Sequence, residues 1–126
     1  MRIYIASVFV DDLDHAHDFY TTTLGFTVKD DIRNGDFRWL TLTSGNDMEL
    51  LLEPKGHPAA APFTAALKTD GIPLTQFASD DITAEYEQLV AKGVEFSMPP
   101  TDVGPAIIAI FDDTCGNLIQ IIQLKK

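Results

Sequence analysis

The chain carries the same pattern twice, and that repetition restricts its folding more than any other feature. Set "VFVDDLDHAHDFYTTTLGFTV" above "QFASDDITAEYEQLVAKGVEF", and Asp11-Asp12 falls on Asp80-Asp81. Leu24-Gly25 then answers Lys92-Gly93 after one deletion. Set "SGNDMEL" above "CGNLIQI", and Gly45-Asn46 falls on Gly116-Asn117, with Glu49 on Gln120. Both matches share an offset of about 70 residues, which supports one duplication rather than two coincidences. A half of this size cannot bury a core alone, so the halves are expected to pack together.

Each half reads as strand, helix and three strands. Ile3 to Val10 is β-branched and aromatic and opens the first unit. Asp11 or Asp12 can cap a helix, and Leu13, Ala16, Tyr20 and Leu24 make its apolar stripe before Gly25. "FTVKDDI", "FRWLTLTS" and "MELLLEP" follow as strands. In the second half "LTQFASD" is the strand, Ile82, Tyr86, Leu89 and Val90 form the helical stripe, and Gly93 ends it. "VEFSM", "AIIAIF" and "NLIQIIQL" complete the set, with Pro99, Pro100 and Pro105 punctuating a connection. The chain is thus expected to be one domain of two repeats. Residues 1–54 form the first unit, 55–72 a linker with one short helix from about Pro62 to Thr69, and 73–126 the second unit.

Nineteen Asp and Glu stand against nine Lys and Arg, a net charge of −10 that repels phosphate backbones and argues against nucleic acid as a partner. The same surface attracts cationic small molecules. No apolar run approaches the length of a membrane span, and the N-terminus has no signal-peptide pattern. The single cysteine, Cys115, reads as a turn residue and suits a reducing cytoplasm. His15, His17 and His57 read as surface residues, because two of them are two apart on a helix and the third lies in the linker.

The stretches "VDDLDHAHDFYTTTLGF" and "FDDTCGNLIQI" resemble the motifs of the vicinal oxygen chelate superfamily, which includes glyoxalases, extradiol dioxygenases and bleomycin-resistance proteins. The second stretch departs from the pattern, with Thr114 in a proline place and Gln120 in a glutamate place. The resemblance implies an α+β fold of two tandem βαβββ units, whose curved mixed sheets surround a cup. Metal-using members of that family take one ligand from each unit's first strand and one from its last. Carried over by motif spacing, these places hold Ile5, Glu49, Leu74 and Gln120. Two aliphatic residues, one carboxylate and one amide are too few donors, so neither a metal nor another cofactor is expected.

Strand alternation sets Leu118, Gln120 and Ile122 on one face, and Glu49, Leu51 and Glu53 on the matching face of the first unit. On the resemblance this is the cup. Ser7, Phe9 and Gln76 join it from the first strands. Trp39 joins from "FRWLTL", or Arg38 replaces it if the parity is opposite. The expected ligand-binding candidates are therefore Ser7, Phe9, Trp39, Glu49, Gln76 and Gln120. The competing reading is that these polar groups only satisfy one another within a closed core. Two functions follow. One is a metal-free protein that holds or sequesters a small organic molecule. The other is a lyase, isomerase or transferase using Glu49 as base, or an atypical metal site. A homodimer is expected, since open sheets leave edges that pairing covers.

Overall fold

Ile5–Val10 forms strand β1, as its β-branched and aromatic residues favour, and the chain turns into a helix at Asp12. The Asp12 carboxylate accepts hydrogen bonds from the backbone N–H groups of Asp14 at 2.9 Å and His15 at 3.2 Å. Those are orphan donors of the first turn of α1, Leu13–Asp18. The helix widens into a π-helical turn over Phe19–Thr23, and Gly25 ends it at φ 85°, where a Cβ would be strained. Strands β2 (Thr27–Asn34), β3 (Phe37–Thr43) and β4 (Glu49–Pro54) complete the unit. This is a computed structural model, describing residues 1–126 in two units, Met1–Ala60 and Ala61–Lys126.

The first unit's sheet has the order β1-β4-β3-β2, with β1 parallel to β4 and the other pairs antiparallel. One face carries Val8, Val10, Leu40, Leu42 and Leu52, all fully buried with Ala16 and Tyr20 of the helical segment. Arg38 projects from the same face and reaches Asp14 of α1 at 2.7 Å. That contact places α1 on this side of the sheet.

The second unit repeats the plan. It contains α2 (Ala60–Thr69) from its second residue onward, β5 (Thr75–Ala78), α3 (Ile82–Ala91), β6 (Phe96–Asp102), β7 (Ala106–Asp112) and β8 (Leu118–Leu124), with sheet order β5-β8-β7-β6. Helix α3 covers one face, where Tyr86 meets Phe96 edge-on at 4.7 Å and the Ile82 N–H donates to Gln123 Oε1 at 2.8 Å. The α+β architecture of two repeated units is therefore as expected. One local expectation is corrected. Pro99 and Pro100 do not sit in a connection; β6 runs through them. It is an edge strand paired only with β7, and its register shifts between Met98 and Thr101, so the missing N–H groups break no inner ladder. No helix is long and apolar enough to cross a membrane.

Candidate functional site

The face turned away from α1 is where the first unit's candidate residues gather. The β1–β4 register sets Ile5 beside Glu49, Ser7 beside Leu51 and Phe9 beside Glu53. From β3, Thr41 stands beside Leu51, and alternation puts Trp39 on the same side. Trp39 therefore joins Ser7, Phe9 and Glu49, while Arg38 faces the helix, which resolves the parity left open by the sequence.

Glu49 is the buried charge of this face, its side chain only 5% exposed. The Tyr4 hydroxyl beside it, then the Thr41 hydroxyl and the Lys29 ammonium, hold its carboxyl below the usual range, against the opposing effect of burial. The same carboxylate raises the Tyr4 phenol and the Lys29 ammonium, so both keep their protons and remain donors. Lys29 Nζ lies 3.4 Å from Glu49 Oε2, a long contact from a half-exposed side chain. Lys29 gets there because β2 is irregular: the pairing shifts between Val28 and Asp30. A bulge re-aims a side chain in this way, and alternation along the sequence does not reveal it. Tyr4, just ahead of β1, was likewise not singled out by the sequence. Thr41 could have been, since it shares the parity of Trp39.

In the second unit, the face turned away from α3 carries Gln76 and Gln120. They are register partners, and Gln120 Nε2 donates to Gln76 Oε1 at 2.7 Å. Gln120 thus does face outward from a strand whose other side is buried, where it meets an exposed amide. The assignment of Leu74 to the place matching Ile5 is corrected here. Leu74 precedes β5 and donates its N–H to Leu118 O, so the residue opposite Gln120 is Gln76. Across both units no group of three or more His, Cys, Asp or Glu side chains converges to hold a metal ion. His17 instead contacts Asp18 at 2.9 Å, and Cys115 is buried in the turn before β8.

Comparison with known proteins sets this geometry in context. A family model described as the Glyoxalase/Bleomycin resistance protein/Dioxygenase superfamily matches residues 2–121. The chain is 51% identical to the uncharacterized protein YurT of Bacillus subtilis (strain 168), over 98% of this chain and 99% of that one. Among solved structures, UcmS2 superposes with TM-score 0.83 at 29% identity, covering 97% of each chain. TnmS3, described as an antibiotic binding protein from Streptomyces sp. CB03234, superposes with TM-score 0.80 at 28% identity, over 99% of this chain and 97% of that one.

Proposed function

The chain belongs to the Glyoxalase/Bleomycin resistance protein/Dioxygenase superfamily, and from that premise we propose that it binds a small organic molecule on the face of its first sheet turned away from α1 and releases it unchanged. The observation that carries this reading is the state of Glu49. A general base needs an available lone pair and a proton affinity near the working pH. Glu49 has its affinity lowered by Tyr4, Thr41 and Lys29, which weighs against the reading of a lyase, isomerase or transferase with Glu49 as base. As a fixed negative charge with donors around it, it suits orienting a ligand. The likeness to TnmS3 supports an organic, antibiotic-like ligand by analogy.

We further propose that the family's metal ligands are lost. Ile5 stands opposite Glu49, and Gln76 opposite Gln120. One carboxylate with Lys29 at 3.4 Å, and two amides bonded to each other, do not fit a divalent cation. The buried thiol of Cys115 suits a reducing cytoplasm. Each sheet leaves two edge strands, β1 and β2 in one and β5 and β6 in the other, and we propose that a homodimer covers part of them.

Thermal-shift screening with aromatic antibiotics tests the reading. A ligand at about one hundred times its Kd adds about 2.7 kcal/mol to stability, a clear rise in Tm. The expected result is a hit recovered intact by mass spectrometry. Repeated turnover of the hit into product would overturn the binding reading, and one equivalent of zinc, nickel, iron or manganese surviving dialysis would overturn the metal-free one. A monomer mass by light scattering at micromolar concentration would remove the dimer.

A further inference from the structure

One row of side chains across the first sheet differs from the rest of its face. Phe9 on β1 pairs with Glu53 on β4, and Ile32 on β2 pairs with Trp39 on β3. Between them, Leu40 pairs with Leu52. One step further along the same antiparallel register, Trp39 comes beside Glu53 on the other face of the strands, the one turned away from α1. The order across the sheet is therefore Phe9, Glu53, Trp39, Ile32. Adjacent strands lie about 4.8 Å apart, so each side chain is within reach of the next.

The chemistry of this row is incomplete. Phe9, Glu53 and Trp39 are half-buried, and Ile32 is exposed. The Glu53 carboxylate has no hydrogen-bond or ion-pair partner, and neither has the Trp39 indole N–H. The basic residues that could approach are engaged elsewhere: Lys29 with Glu49, and Lys55 with Asp11. Glu49 lies four residues along β4 from Glu53, about 13 Å away, so its cation does not serve both. A carboxylate of a half-buried residue, flanked by two aromatic side chains and with no cation of its own, leaves its charge unmatched. A flat organic cation supplies what is missing. Its charge meets Glu53, and its faces lie against rings whose quadrupoles attract positive charge.

We propose that Phe9, Glu53 and Trp39 form a subsite for a planar aromatic cation, such as a quaternised heteroaromatic ring. This rests on the binding reading above and narrows its ligand class, and the net charge of −10 favours approach of such a molecule.

Trp39 is the only tryptophan of the chain, so its fluorescence reports on the subsite directly. The probe is N-methylquinolinium, with quinoline, neutral at pH 7.5, as the uncharged isostere. The expected result is saturable quenching by the cation, with a Kd about three- to thirtyfold below that of quinoline, the range of a cation–π contact plus one partly exposed ion pair. Glu53→Gln should cut the preference to the part that the rings supply, about two- to fivefold, while leaving quinoline binding unchanged, and Phe9→Leu should weaken both. Quenching that rises linearly without saturation, equal affinity for the two probes, or a preference undiminished by Glu53→Gln would each overturn the subsite. None of these touches the broader reading, which fails if screening finds no ligand that is recovered intact.

Discussion

Replacing Asp113 with Ala should destabilise the protein far more than any other loss of a turn or cap carboxylate. Asp113 is fully buried. One carboxylate oxygen accepts from the Cys115 N–H at 2.7 Å and the Asn117 N–H at 3.0 Å, and the other accepts from Asn117 Nδ2 at 2.9 Å. Alanine would strand these three donors where water reaches poorly, and each stranded buried donor costs about 1–3 kcal/mol. Partial relaxation and the relieved desolvation of the carboxyl group offset some of this, leaving about 2–4 kcal/mol. With an unfolding entropy of about 2.1 cal/mol/K per residue, a chain of 126 residues loses about 4 °C of Tm per kcal/mol, or roughly 8–16 °C. Asp12→Ala, which removes an exposed helix cap, is the control and should cost about 1 kcal/mol. Asp113→Asn keeps the two backbone contacts and should fall between them. Urea denaturation monitored by circular dichroism reads all three, and an Asp113→Ala loss no larger than that of Asp12→Ala would show that the buried carboxylate does not hold this turn.

Thr114 holds a φ of 60° with a β-branched side chain, so Thr114→Gly should raise stability by about 0.5–1 kcal/mol in the same assay; a loss would show that its side-chain contacts outweigh the strain. Gln120→Leu should leave Tm within a few degrees, because the exposed Gln76 amide can turn to water, and a loss above about 2 kcal/mol would assign Gln120 to a closed core. Acid should weaken the fold. Asp31, Glu49 and Asp102 have carboxyl groups lowered by Arg38, Tyr4 and Lys125 respectively, so the unfolded chain binds more protons in that range. Their contribution is complete above about pH 5 and is lost as pH falls through their depressed folded values. Stability that stays flat from pH 5 to about 2.5 in denaturant titrations would contradict this.

The strands and helices were legible because alternation, helical stripes and capping aspartates all agree, and the repeat doubles each signal. Faces were legible for β1, β4 and β8 but not for β3, where Leu40, Thr41 and Leu42 are all fully buried and alternation alone left Trp39 and Arg38 interchangeable. Register was not. Aligning the repeats on their helix caps puts Leu74 against Ile5, yet Ile5 to Asp12 spans seven steps and Gln76 to Asp81 five, both lengths read off the pairing. The second repeat is shorter by two residues there, and only inter-strand hydrogen bonding reveals it. Lys29 was hidden for a related reason, since a bulge changes which face a residue meets. Pro99 and Pro100 misled because proline ends an inner strand but not an edge strand at a bulge. The isolation of Glu53 could not be read from sequence, because it depends on where Lys29 and Lys55 point.

On the proposed function, a small molecule binds, unchanged, to the face of the first sheet turned away from α1. Backbone amide NMR spectra recorded during titration with a hit from thermal-shift screening test it most directly. Saturating shifts should concentrate at Ser7, Phe9, Trp39 and Glu49, and the ligand signals at the end point should be those of the starting compound. Shifts centred on α1 or α3, or the growth of product signals, would contradict it.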